Sequence, residues 1–215
     1  MERELSLRIA ERYANGSRAV RGYVAGKLRS DPVASSVLAI GRASSLGAVC
    51  DVGCGRGQMG VLLLEAGVAT SVRGWDWDAE KVAAAARAAE GLDARFEQGD
   101  VREHPIPPCD TVLLVDVLHY LTPEEQDALL ARAATAARRH VLVRELDPDR
   151  GWRSAVTRLQ ESITTGLRYN AGARLVFRAI GEITAPLERA GFRTSVAPAW
   201  GSTPFANVLV HAERD

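Results

Sequence analysis

The chain has 215 residues, 47% hydrophobic and 25% charged, enough to bury the core of one medium domain without a disulfide or metal staple. Lys+Arg and Asp+Glu each number 27, so the formal charge is zero, and the bulk cationic surplus needed to coat nucleic acid or an anionic membrane is absent. Three cysteines, Cys50, Cys54 and Cys109, do not make a secreted disulfide framework, and no apolar run reaches the length of a membrane span or signal-peptide core; a cytoplasmic protein with reduced thiols is expected.

Leu5, Ile9 and Tyr13 recur at helical spacing and predict a first helix ended by Asn15-Gly16. A second helix is expected over 17–29, and Asp31-Pro32 supplies the cap and first-turn proline of a third. Residues 48–52 read as a buried strand entering Gly53-Cys54-Gly55-Arg56-Gly57, with a helix following through 62–66. A strand over 71–75, an Ala-rich helix over 79–90 capped by Asp78, and strands over 94–98 and 111–115 come next. Thr122-Pro123-Glu124-Glu125 is a capping box that opens a helix to about 137, and 140–144 is the next strand. Strands alternating with helices at this spacing predict an α/β fold with a doubly wound parallel sheet. The alternation breaks at Leu146. Residues 146–180 form a helical insertion over the active site, a helix over 182–190 ends at Gly191, and strands over 192–197 and 207–212 close the chain. Residues 1–215 therefore read as a single domain whose first 45 residues form a helical cap.

The glycine loop supports two readings. Gly55-Arg56-Gly57-Gln58-Met59-Gly60 satisfies the dinucleotide pattern G-x-G-x-x-G, which is weak by itself. Asp51-Val52-Gly53-Cys54-Gly55-Arg56-Gly57 adds a carboxylate at the strand end, which repels a pyrophosphate and attracts an ammonium or a sulfonium. Asp76 ends the second strand, where an acid accepts both hydroxyls of an unphosphorylated ribose, a role shared with NAD sites. Asp100 follows the third strand, where it can accept from an adenine amino group, with Trp77 and Val101 offering apolar faces to the ring. Asp116 ends the fourth. Ligands bind outside the carboxyl ends of such strands, so the four acids converge on one crevice.

The runs VCDVGCGRGQMG, WDWD, FEQGDV and CDTVLLVDVLHYL, in this order and spacing, resemble the class I S-adenosylmethionine-dependent methyltransferases, and the closing FRTSVAPAW…FANVLVHAER resembles their terminal β-hairpin. The resemblance implies a Rossmann-like seven-stranded sheet of order 3-2-1-4-5-7-6 with strand 7 antiparallel. It implies S-adenosyl-L-methionine as cofactor, with Asp51, Gly53, Gly55 and Gly57 at the methionine part, Asp76 at the ribose, Asp100 and Val101 at the adenine, and Asp116 bordering the transferred methyl; Cys54, a small loop residue, and Trp77 are further candidate cofactor contacts.

Methyl transfer from a sulfonium is an in-line displacement that alignment alone accelerates; a base matters when the acceptor is a hydroxyl. His119, just past Asp116 at the crevice mouth, is either that base, an acceptor-orienting residue or a packed loop histidine. His140 and His211 read as structural residues at strand edges and His104 as a solvated loop residue. Cys50 and Cys54 lack a second Cys/His pair for zinc, and Arg144-Glu145-Leu146-Asp147 stands where the metal-dependent catechol-type relatives carry Asp-Asn, so no catalytic metal is expected. Asp116-Val117-Leu118-His119 likewise departs from the Asn/Asp-Pro-Pro-Tyr/Phe of the amide- and base-N-methylating relatives.

Residues 1–30 hold seven basic against three acidic residues, and 144–178 seven Arg, among them Arg150, Arg153, Arg158, Arg168, Arg174 and Arg178, against four acids. A solvated face and a docking surface for an anionic or carrier-tethered acceptor both fit this balance. The stretch RELDPDRGWRSAVTRLQES…GLRYN is similar to bacterial methyltransferases of aryl-polyene pigment pathways and suits an aryl hydroxyl. Tyr13, Tyr23, Tyr120, Trp152, Tyr169 and Trp200, with Arg150, are candidate substrate residues. The expected function is O-methylation of an aryl or acyl hydroxyl on a small-molecule or carrier-bound acceptor. The alternatives are a NAD-dependent oxidoreductase using the overlapping GxGxxG and a non-catalytic cofactor-binding regulator.

Overall fold

Three helices precede the sheet in the computed structural model, which describes residues 3–14, 18–149, 175–200 and 206–214. They are α1 (Arg3–Arg12), α2 (Arg18–Ser30) and α3 (Pro32–Ala43). In α1 the stripe of Leu5 and Ile9, continued by Tyr13, is buried as its spacing requires. Asp31 caps α3 through its side chain, which accepts from the Val33 amide at 3.1 Å, and Pro32 occupies the first turn.

From there β1 (Gly47–Val52), α4 (Gln58–Glu65), β2 (Ala69–Asp76), α5 (Ala79–Ala88), β3 (Ala94–Gln98) and β4 (Cys109–Val115) alternate. A 3-10 turn (Leu118–Tyr120) leads to α6 (Pro123–Ala136) and β5 (Ala137–Leu146); α7 (Ile180–Arg189), β6 (Arg193–Pro198) and β7 (Asn207–Glu213) complete the chain. The capping box is in place: Thr122 Oγ1 accepts from the Glu125 amide at 3.3 Å, and Glu125 Oε2 accepts from the Thr122 amide at 2.8 Å. Asp78 caps α5 by accepting from the amides of Glu80 and Lys81.

The seven strands pair in the order β3-β2-β1-β4-β5-β7-β6, with β7 antiparallel to both its neighbours and the others parallel. Val52, Leu113, Leu114 and Leu142 are fully buried because both faces of the central strands are covered. Leu113, Leu142 and Leu209 on one face pack with residues of α1, α3, α4 and α5; Leu114, Val143 and Val210 on the other pack with Leu129 and Leu130 of α6 and Ile183 and Leu187 of α7. The strand order reverses between β1 and β4, so a crevice opens outside their carboxyl ends. Most of the insertion expected over 146–180 lies outside the described residues, and so do Arg150, Trp152, Arg153, Arg158, Arg168, Tyr169 and Arg174.

Candidate active site

The loop between β1 and α4 turns on glycines in left-handed backbone, with φ of 70° at Gly53, 56° at Gly55 and 70° at Gly57. Its shape is set by close packing beneath it. A Cβ on Gly53 would overlap Val117 Cγ2 and one on Gly57 would lie 2.7 Å from Ala85 Cβ, whereas one on Gly55 would meet no described atom within 4 Å. Gly55 thus faces open space while its neighbours are wedged. The amides of Gly53 and Cys54 both donate to the Trp75 carbonyl, and the Gly55 amide donates to Asp76 Oδ2 at 2.9 Å. From the N-terminal side, Tyr13 Oη donates to the Arg56 carbonyl at 2.8 Å. Tyr13 was expected to line a substrate wall; it is buried, and its hydroxyl braces this loop instead.

Asp51, at the carboxyl end of β1, is 2% exposed, and its Oδ2 is buried without a hydrogen-bond partner among the described residues. Burial and the neighbouring Asp76 push its carboxyl up to about 7. A buried acceptor lacking a donor is costly by itself and is what an ammonium group would satisfy. Asp76, also buried, accepts from Gly55 and, through Oδ1, from the Asp78 amide at 3.0 Å. A carboxylate offers about four lone-pair sites, so capacity for ribose hydroxyls remains. Trp77 beyond it is 52% exposed, with Lys81 Nζ 5.6 Å from its ring centroid. Asp100 is bound by the side chain and amide of Arg102, which hold its carboxyl below the usual range. Val101 lies beside Gly53, with Cγ1 3.9 Å from the position of a Gly53 Cβ.

Asp116, which the resemblance places beside the transferred methyl, carries two cationic partners. It has a φ of 59°, and its carboxylate contacts the Arg144 guanidinium and, at 3.3 Å, Lys27 Nζ. Arg144 also reaches Asp31 at 3.6 Å. Burial would raise the Asp116 carboxyl, but Arg144 and Lys27 outweigh it and hold it down at about 2. Two cations from different parts of the chain are thus committed to this side chain. Among the described residues, Arg178 is likewise paired with Asp127, and Arg8 and Arg12 with Glu65.

Three residues beyond Asp116, His119 is 5% exposed and packed against a carboxylate absent from the expected site residues. Its Nδ1 lies 2.9 Å from Glu145 Oε2, and Glu145 is itself 3% exposed. The other carboxylate oxygen accepts from the Leu118 amide at 3.0 Å and the His119 amide at 3.4 Å. Glu145 therefore holds both the ring and the backbone of the 3-10 turn. With Nδ1–H donated to the carboxylate, Nε2 carries the basic lone pair. The rings of Tyr120 and Phe177 lie 4.3 and 5.4 Å from the imidazole, centroid to centroid. The Val176 amide donates to the His119 carbonyl, and Gln126 donates to the Val176 carbonyl, so the segment entering α7 is tied to this turn.

Tyr120 is 47% and Tyr23 42% exposed; Trp200 is half-buried, and Cys54 is a buried loop residue. His104 was expected in solvent. It packs instead 4.7 Å from the Trp75 ring, with Nε2 3.2 Å from Glu97 Oε1, because the turn after Asp100 folds back on the sheet.

A crevice at the β1/β4 switch point, floored by a buried acid under a glycine turn, defines a domain that binds a nucleoside-linked amino acid rather than a pyrophosphate. The sequence profile of the methyltransferase-domain family matches residues 49–140. Over 83 residues, 38% of this chain, it is 39% identical to trans-aconitate 2-methyltransferase of Mycolicibacterium gilvum; the match spans 31% of that protein's length. The fold is similar to magnesium protoporphyrin IX methyltransferase from Synechocystis PCC 6803, solved with bound SAH, with TM-score 0.66, 24% identity and coverage of 97% of this chain and 93% of that one. It is also similar to an O-methyltransferase family protein from Burkholderia thailandensis, with TM-score 0.67, 17% identity and coverage of 95% and 62%. Residues 49–140 thus match the methyltransferase-domain family, on a fold shared with methyltransferases of solved structure. The match over 49–140 favours S-adenosylmethionine over the nicotinamide reading of the overlapping glycine pattern.

Proposed function

We propose that this chain transfers the methyl group of S-adenosylmethionine to a hydroxyl oxygen of a small-molecule or carrier-tethered acceptor, with His119 as the base. The observation that carries this reading is the buried His119–Glu145 pair at the exit of β4. A base has work to do only when the acceptor keeps its proton until it reacts. A carboxylate acceptor is ionised at neutral pH, so for it the pair would be superfluous.

When bound, S-adenosylmethionine supplies an electrophilic methyl on a sulfonium with a neutral leaving group. Asp51 would hold its ammonium, Asp76 its ribose, and Trp77, Asp100 and Val101 its adenine. Glu145 keeps the His119 ring in the tautomer with basic Nε2, which takes the hydroxyl proton as the oxygen attacks, and the carboxylate stabilises the imidazolium so formed. The ring faces of Tyr120 and Phe177 beside the imidazole suit an aryl alcohol or phenol.

The test is methyl transfer to panels of aryl hydroxyl, acyl hydroxyl and carboxylate acceptors by the wild type and by His119→Ala. The expected result is turnover on an aryl or acyl hydroxyl that falls by roughly 10²–10⁴-fold in the variant while cofactor affinity is kept. Near-wild-type kcat in His119→Ala, or turnover confined to carboxylates, overturns the assignment.

A further inference from the structure

At the end of the sheet opposite the crevice, β5 and β7 bring three ligand-type side chains onto one face. In the antiparallel register His140 faces Glu213 and Leu142 faces His211, so His140, His211 and Glu213 project together. His140 Nδ1 and His211 Nε2 are 3.1 Å apart, and Glu213 Oε2 lies 3.9 Å from that same His211 nitrogen. One ligand atom from each residue falls within 4.8 Å of the others. We propose that His140, His211 and Glu213 form a binding site for a zinc-type divalent ion, separate from the methyl-transfer site.

Two imidazoles and a carboxylate are a donor set suited to zinc, with solvent able to fill the fourth position. A nitrogen separation near 3 Å matches two ligands about 2.1 Å from one ion. The other nitrogen of His140 meets Ser44 Oγ at 3.4 Å, the outer hydrogen bond that orients a ligating imidazole. Glu213 divides its oxygens: Oε1 engages Arg193 at 3.3 Å, leaving Oε2 toward the histidines. Arg139 and Asp110 lie near His140 and contribute charges of opposite sign. The two ring nitrogens now share a single hydrogen. Ligation by both would move that hydrogen to the outer nitrogen of its own ring, so both imidazoles stay neutral and no oxidation state changes.

His140 lies five residues before Glu145 on β5, roughly 16 Å along the strand, so the ion would stabilise the β5–β7 pairing rather than touch the methyl acceptor. The experiment uses untagged, chelator-treated protein titrated with ZnCl2 by calorimetry, and with CoCl2 followed by visible absorption. One ion per chain is expected, with a rise in Tm and at least tenfold weaker binding in His211→Ala and in Glu213→Gln. The His211→Gln variant repeats the measurement with a side chain of similar bulk, and circular dichroism checks each variant for folding. Absence of stoichiometric uptake overturns the proposal. Uptake unchanged in folded His211 variants, or in Glu213→Gln, overturns the three-ligand site.

Discussion

Lys27 of α2 and Asp116 at the exit of β4 meet across 89 residues of sequence, with Nζ 3.3 Å from Oδ2. The contact joins the N-terminal helices to the strand end that leads into the 3-10 turn. Burial alone would lower the Lys27 pKa, yet the Asp116 carboxylate outweighs burial and raises it. Both side chains are a little over a quarter exposed, so Lys27→Met should cost about 1 kcal/mol. Arg144 is more deeply buried and faces both Asp116 and Asp31, so Arg144→Met should cost roughly 3 kcal/mol by removing the guanidinium the two carboxylates share. Urea unfolding of the two variants checks the order; equal losses would show that Arg144 is not the centre of the group.

The raised carboxyl of Asp51 makes a pH prediction of definite sign. Its folded value of about 7 exceeds the ordinary 3.8, so the folded chain holds a proton that the unfolded chain has lost across that window. Stability of the cofactor-free protein should therefore fall as pH rises from 4 to 7, by roughly 4 kcal/mol from this group, and Asp51→Asn should flatten that fall. Asp116 acts in the other direction and elsewhere. Its depressed value of about 2 contributes stability above pH 4 that is lost as pH falls toward 2. Thermal melts of wild type and Asp51→Asn from pH 3 to 8 separate the two windows.

Cofactor binding should carry the same signature. An ammonium beside Asp51 favours the ionised carboxylate, so binding near pH 6.5 should release a proton, and affinity should weaken below pH 6. Calorimetry with S-adenosylmethionine in buffers of different ionisation enthalpy measures the proton count. A count of zero would remove Asp51 from contact with the ammonium.

The loop glycines should divide into two kinds. Gly53→Ala meets Val117 at a φ of 70° and should destabilise the protein by roughly 2–4 kcal/mol. Gly55→Ala points into open space and should cost only about 1 kcal/mol of stability while weakening cofactor binding at least tenfold. Paired Tm and affinity measurements distinguish packing from ligand contact.

Glu145→Gln should keep the His119 ring packed yet remove the charge that supports the imidazolium. Turnover on a hydroxyl acceptor should fall by about tenfold or more, with the KM for S-adenosylmethionine unchanged. A change in cofactor KM alone would assign Glu145 to the architecture of the turn.

The glycine turn and the acids that end the strands are legible in sequence for a physical reason. Asp51, Asp76 and Asp116 each close an apolar strand run, and in a parallel sheet that position marks one edge. The alternation pointed to a parallel sheet, and the family resemblance implied its strand order. Glu145 was hidden because it lies within β5 and its partner is 26 residues away; only the parallel pairing of β4 and β5 brings them together. The signal available was a charge pair closing an apolar strand, Arg144-Glu145 after Val141-Leu142-Val143, with alternation sending the two charges to opposite faces. The role of Tyr13 was hidden for a similar reason, since its helical stripe predicts burial and says nothing about its hydroxyl.

That hydroxyl gives the first helix a bearing on the ligand. Because Tyr13 anchors the Arg56 carbonyl inside the glycine turn, docking of α1 and closure of the turn are thermodynamically linked. Whatever pins the turn around a ligand should slow amide exchange in α1, and whatever loosens α1 should be felt as weaker ligand affinity.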